Sequence, residues 1–295
     1  MRAARAVMGI MGIMGGVATS SFIVGESETI APAGALKNKA MNNIKKYNCF
    51  ALYGIELSLL IWIENTLAFF ENKNYPLKSI SYDINRSKLG RKSITTFLKD
   101  FDHHYESLSL TLFYGKNLKK PSTWQYGVSY DTISKSLVLF AQSKIENDEE
   151  LQLLFHQYLS EILQNIISHS GYSYYQEDYY DYYLGGTESM NLYKEDSLYF
   201  WNTFKPQNID TFLNCKNVLR HIYKENILNK EHLKNYIDGT ELALWVSKNN
   251  LGSLKPFGSE NYLWVIPDEK IDFVAKKFLE HHLLVGVSEN SALIW

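Results

Sequence analysis

Apolar and polar positions along the chain follow two periods, and these divide most of it into strands and helices. From Lys78 to Ile84, Ile80, Tyr82 and Ile84 alternate with Ser79, Ser81 and Asp83, the period-two pattern of a strand. Ile94, Phe97, Leu98 and Phe101 then fall at helical spacing, with Ser93 placed to cap the first turn. Leu108, Leu110 and Leu112 give a second strand, Tyr126, Val128 and Tyr130 a third, and Ser136 to Ala141 extends the sheet through a turn. The clearest helix carries Leu151, Leu154, Phe155, Tyr158, Leu159, Ile162, Leu163 and Ile166 on one face. Asn147 stands three residues before Glu150 as in a capping box, and Gly171 sits where a terminator belongs.

Upstream, Phe50 to Phe70 is strongly apolar but contains Glu56 and Glu64. Charges there make a lipid-spanning helix costly, so a buried helix preceded by a short strand is expected. Downstream of Gly185-Gly186 the pattern becomes irregular, and Asn208 to Lys234 reads as short helices and turns. Thr240 is placed to cap a helix carrying Leu242, Trp245 and Val246. Tyr262 to Ile266 reads as a strand, and Pro267 opens a helix whose buried face holds Ile271, Val274, Ala275, Phe278 and Leu279. Leu283 to Val287 and Ala292 to Trp295 read as closing strands.

The order from Ile80 to Tyr183 is strand, helix, strand, strand, helix, strand. That is the order of the split βαβ arrangement, so the expected class is α+β, with a ferredoxin-like unit over residues 41–186. Residues 187–295 form a second, smaller α+β unit packed against it and sharing its core. Residues 1–40 differ sharply in composition, rich in Ala, Gly and Met, whereas from Met41 onward Asn, Lys, Tyr and Ile dominate. Three expectations compete for that stretch. Arg2 and Arg5 before the apolar run Ala6 to Ala18 resemble the start of a signal peptide, the uncharged span Ala6 to Gly25 resembles a glycine-weakened membrane anchor, and Met41 offers a natural start. The first two would make the body exported or membrane-anchored. The third, favoured by the composition break, leaves it cytoplasmic.

Charge narrows the partners. With 30 Lys and Arg against 32 Asp and Glu, the chain lacks the basic excess of a phosphate-neutralising protein, so no nucleic-acid partner is expected. No membrane partner is expected either unless the leader is genuine. Two distant cysteines, Cys49 and Cys215, make neither a metal pattern nor a disulfide framework.

Catalytic signatures are sparse. Leu89-Gly90-Arg91-Lys92-Ser93 lacks the earlier glycine of a phosphate loop and reads as a polar loop entering a helix. No Gly-x-Ser-x-Gly nucleophile elbow occurs. The pairs His103-His104 and His281-His282 lie at helix C-termini, where imidazole complements the dipole, and neighbours on a helix point about 100° apart, so one pair rarely chelates an ion. Cys215 and His221 are close in sequence, but catalytic Cys–His pairs usually meet through the fold. No catalytic residue, metal ligand or cofactor is therefore assigned.

The most distinctive segment is Tyr172 to Tyr183, Tyr-Ser-Tyr-Tyr-Gln-Glu-Asp-Tyr-Tyr-Asp-Tyr-Tyr. Carboxylates among rigid aromatic rings suit a basic protein partner, since acids speed encounter and rings add contact area and cation–π faces. The alternative is an edge strand with tyrosines packed on the sheet. Tyr175, Glu177, Asp178, Tyr179, Asp181 and Tyr182 are the candidate contact residues.

The run Asn217 to Asn229, with His232-Leu233, Gly239, Leu242, Trp245 and the Leu263-Trp264-Val265 strand, resembles a C-terminal pattern of uncharacterised bacterial proteins in the style of polymorphic-toxin immunity proteins. The resemblance covers the C-terminal third and contains no catalytic motif, so no site is carried over. It implies a protein partner, namely a basic toxin domain. The expected function is thus a non-enzymatic bacterial protein-binding protein that neutralises a toxin. The alternatives are an enzyme with a dispersed Asp/Glu/His site and an exported or membrane-tethered structural protein.

Overall fold

The computed structural model describes residues 47–85, 88–101, 108–117, 123–143, 148–176 and 217–284, without the side chains of 148 and 174–176. Its centre is strand β1 (Tyr47–Tyr53), buried at every position except Asn48. A strand covered on both faces must be apolar throughout, which is why this segment shows no alternation. β1 pairs antiparallel with β6 (Ser136–Gln142) on one side and β7 (Ser170–Gln176) on the other.

Outward from β6 run β5 (Trp124–Asp131), β4 (Leu108–Gly115), β2 (Ser79–Ile84) and β3 (Lys88–Ser93). Outward from β7 run β8 (Glu225–Leu228), β12 (Asn261–Val265) and β11 (Ser253–Phe257). The result is one ten-stranded sheet, antiparallel in every ladder. An α+β fold with a large antiparallel sheet is therefore present, but its ladders do not show the split βαβ pairing. A strand from Lys88 to Ser93 pairs with β2, where a loop was expected. β2 then meets β4 directly and antiparallel, so the intervening helix is no parallel crossover.

Helices α1 (Leu59–Asn72), α2 (Ile94–Asp100) and α3 (Asp148–Ile162) cover one face of the sheet. Ser93 caps α2 as expected, its hydroxyl accepting from the Thr96 amide at 3.2 Å. Leu59, Trp62, Ile63, Phe69 and Phe70 of α1 meet Leu151, Leu154, Phe155, Tyr158 and Leu159 of α3 over Ile80, Leu110, Val128 and Leu139. The Tyr158 phenol ties the two helices together, accepting from Trp62 Nε1 at 2.9 Å and sharing a 2.6 Å hydrogen bond with Thr66. Burial raises its pKa far above the usual phenol range, so it stays neutral.

The opposite face is also buried, at Tyr47, Cys49, Tyr53, Phe113, Trp124, Val138 and Phe140. A register shift at Tyr114/Gly115 turns Trp124 to that side, where it stacks on Phe113 at 3.8 Å. Gly127 leaves room beneath Phe140, since a Cβ there would sit 2.6 Å from its ring. Gly171 does not terminate a helix. It lies in β7 between Leu52 and Ile227, where a Cβ would meet the Ala51 carbonyl at 2.6 Å.

After β8 come the one-turn helix α4 (Lys230–Leu233), the hairpin β9 (Tyr236–Ile237) and β10 (Thr240–Glu241), α5 (Leu242–Lys248) and, after β12, α6 (Ile271–Glu280). Asp238 and Gly239 both have positive φ, 51° and 75°, as a two-residue hairpin turn requires. Thr240 therefore belongs to β10, and Glu241 stands at the start of α5. Leu228, Trp245, Trp264, Val274 and Phe278 belong to a second core cluster, while Ile227 and Leu263 belong to the first. β8 and β12 thus contribute to both cores, because successive residues point to opposite faces. Of the expected closing strands, Leu284 forms an isolated parallel bridge with Leu219, and residues 285–295 lie outside the described residues. No described helix is long and apolar enough to cross a membrane.

Candidate functional site

Polar and aromatic side chains gather at two places, the strand that launches the acidic tyrosine tract and a cleft at one end of the sheet. The tract begins within β7. Tyr172 is buried, its ring stacked on Tyr223 at 4.0 Å and 13°, and on Tyr53 at 5.7 Å. Its hydroxyl accepts from Arg220 Nη1 and shares a 2.7 Å hydrogen bond with the Tyr53 hydroxyl. Arg220 is itself only 2% exposed, with its guanidinium over the Tyr172 ring. Tyr223 is held in turn by Asn226, whose amide bridges the Tyr223 amide and carbonyl at 2.9 and 2.7 Å. The root of the tract is therefore fixed by stacking and hydrogen bonds from β1 on one side and from the segment leading into β8 on the other.

Beyond Tyr172 the support changes. β7 ladders to β8 only at Gly171 and Tyr172, whereas its ladder to β1 continues through Tyr175, opposite Asn48, and Gln176, opposite Tyr47. Of the six candidate contact residues, Tyr175 has its backbone in this ladder. Glu177, Asp178, Tyr179, Asp181 and Tyr182 lie outside the described residues.

The cleft has a volume of about 670 Å³ and opens where β6, β1, β7, β8 and β12 all turn. Gly54, Lys135, His169, Asn229 and Glu260 line it, one from the turn beside each of these strands. Its rim carries Glu56 paired with Lys135 at 2.7 Å and Glu260 paired with Lys230 at 3.0 Å. The Lys135 ammonium holds the Glu56 carboxyl below the usual carboxylate range, first by hydrogen bonding and then by charge. On the floor, the Asn261 side-chain amide binds the Ser168 amide and carbonyl and the Leu228 carbonyl at 2.9 to 3.1 Å. The Ser168 hydroxyl lies within 2.9 Å of two backbone carbonyls, those of Tyr53 and Ser170.

His169 lines the floor, and His232 sits behind it, both imidazoles buried with their rings 5.6 Å apart. The Asn229 side chain caps α4 by accepting from the Glu231 and His232 amides, and donates to the His169 carbonyl at 2.9 Å. The Asn229 amide donates to His232 Nδ1 at 3.0 Å, so Nε2 carries the proton that faces the Val218 carbonyl at 3.1 Å. Burial pushes His169 down to about 4, the Val218 backbone acting the other way. Burial, and then the neighbouring His169, push His232 down to about 3. Both imidazoles are neutral at neutral pH, so their immediate role is to hold backbone at the turns.

His281 Nε2 lies 3.1 Å from Asp238 Oδ1 at the end of α6, where Lys277 also binds that carboxylate and His282 has positive φ. His221 Nδ1 accepts from the Ile222 amide at 2.7 Å. His103, His104 and Cys215 lie outside the described residues. Among the described residues, no group of three or more His, Cys, Asp or Glu side chains is placed to hold a metal ion. The sequence offered little sign of the cleft, because its residues come from five separate turns and share no motif.

No protein-family model matches the sequence, and comparison with curated proteins finds no match. Among solved structures, the chain is similar to a Pseudomonas aeruginosa T6SS protein at 11% identity, over 85% of this chain and 79% of that one, with a TM-score of 0.46. It is also similar to a structure of the toxic C-terminal tip of CdiA from Pseudomonas aeruginosa in complex with its immune protein. That match has 12% identity, covers 44% of this chain and 85% of that one, and has a TM-score of 0.28. At these values neither similarity assigns a function.

Proposed function

We propose that the chain is a non-enzymatic protein-binding protein whose contact surface is the acidic tyrosine tract, and that it neutralises a toxin domain with a basic face. The observation that carries this reading is the anchoring of the tract's first residue. Tyr172 is locked between Tyr53, Tyr223 and Arg220, so the acidic sequence that follows departs from a fixed point on a central strand. Glu177, Asp178 and Asp181 would draw in Lys and Arg, and Tyr175, Tyr179 and Tyr182 would cover their aliphatic stems.

The test is capture of a stoichiometric partner from the source cells on the tagged full chain. That partner, expressed alone, should arrest growth, and co-expression with this chain should restore it. The Glu177→Lys, Asp178→Lys, Asp181→Lys variant should neither retain the partner nor restore growth. A harmless partner, or full restoration by the variant, would overturn the proposal.

A dispersed-site enzyme is the second reading, favoured by His169 at the floor of a cleft rimmed by Glu56, Glu231 and Glu260. It requires a turnover that His169→Gln abolishes while the melting curve is kept.

A further inference from the structure

Among the described residues the sheet ends at β3, which ladders to β2 through all six of its residues, Lys88 to Ser93. A terminal strand directs alternate amides and carbonyls outward, a template for one more strand. Its composition decides which strand fits. Lys88, Arg91 and Lys92 supply three cations, and the strand has no acid.

The register places these cations on both faces of the edge. Lys88 and Lys92 stand opposite Ile84 and Ile80, on the helix-covered face, while Leu89 and Arg91 stand opposite Asp83 and Ser81 on the other. Lys92 is held in place by Asp100 at 3.1 Å and lies over the Tyr82 ring, and the Arg91 guanidinium lies over Trp124. Leu89 is 59% exposed, an apolar contact point set among the charges. At Gly90 the absence of a side chain lets the Tyr82 ring lie across the strand, since a Cβ there would sit 2.2 Å from it. The edge is regularly laddered.

Such a lysine-bearing edge repels basic strands, including β3 of a second copy, and attracts an acidic one. We propose that β3 accepts an extended acidic segment of a partner protein as an added strand. Main-chain hydrogen bonds would provide the affinity and the flanking cations the selection. An acid is expected opposite the exposed Lys88, with an apolar residue opposite Leu89.

The probe is a fluorescent octapeptide of alternating Glu and Val, titrated into the full chain by anisotropy. It is compared with its Lys/Val counterpart and with a version N-methylated at alternate residues, which keeps the charge and removes the strand-pairing amides. Only the unmethylated acidic peptide should bind, and it should slow hydrogen exchange at β3. Lys88→Glu, an exposed change, should weaken binding about three- to tenfold. Equal binding by the N-methylated peptide would reduce the effect to charge alone and overturn strand addition. Protection confined to other strands, or no binding by the acidic peptide, would also overturn it.

Discussion

At the scale of single residues, most tyrosines with described side chains are core residues with one polar atom to place. Tyr47, Tyr53, Tyr82, Tyr126, Tyr130, Tyr158, Tyr172 and Tyr223 are all buried. Tyr130 shows the pattern: its ring packs under Trp62, while its hydroxyl donates to the Ile55 carbonyl and accepts from the Leu57 amide, fixing the turn into α1. Tyr158→Phe should leave Trp62 Nε1 and Thr66 without their common partner and cost about 1–3 kcal/mol. Urea denaturation checks this, and an unchanged midpoint would show that the phenol is dispensable. His169 and His232 make stability depend on pH. Their folded pKa values lie below 6.5, so the unfolded chain binds more protons as the pH falls. Their contribution is complete above pH about 6.5 and is lost towards pH about 4, on the order of 3 kcal/mol for His169 alone. The urea midpoint should therefore fall across that window, and less so in His169→Gln. An equal fall in both proteins would contradict the assignment. The tyrosine count was plain in the sequence; which phenols would be tied down was not, because their partners lie far away along the chain.

At the scale of elements, strands and helices with strong periodicity were legible and those shaped by tertiary position were not. β2, β4, β5, β6, β12, α2, α3 and α6 follow the periods seen in the sequence. β1 is the short strand expected ahead of the apolar helix, though it shows no alternation because both of its faces are covered. β3 hid because an edge strand need not alternate, and Lys-Leu-Gly-Arg-Lys-Ser looks like a loop until it pairs with Ser79 to Ile84. β8 is only four residues long, and what makes it a strand is the pairing of Ile227 with Gly171 and Leu263. Gly171 misled for a related reason: close approach of β7 to β1, rather than a helix end, excludes a side chain. Gly127 makes the same point testable. A Cβ there would lie 2.5 Å from the Leu112 carbonyl oxygen and 2.6 Å from the Phe140 ring. Gly127→Ala should cost about 1–3 kcal/mol through displaced packing, whereas an unaltered melting temperature would mean that β4 and β6 yield without strain.

At the scale of the whole molecule, one sheet buries apolar side chains on both faces and presents chemically opposite features at separate strands. β3 brings a row of cations to one edge, while β7, at the heart of the sheet, leads into three carboxylates set among tyrosines. The element order suggested a split βαβ unit, since order alone does not specify pairing. The candidate contact residues stood out in the sequence by composition, but the anchor at the root of the tract, Arg220 with Tyr53 and Tyr223 around Tyr172, joins residues far apart along the chain and is invisible to local pattern. The central claim is that the acidic tyrosine tract makes the productive encounter. The association rate of the full chain with its captured, purified partner tests this most directly, measured across ionic strength for the wild type and the Glu177→Lys, Asp178→Lys, Asp181→Lys variant. The wild-type rate should fall steeply with added salt, and the variant should associate at least about tenfold more slowly at low salt. Equal rates for the two proteins at every salt concentration would contradict the account.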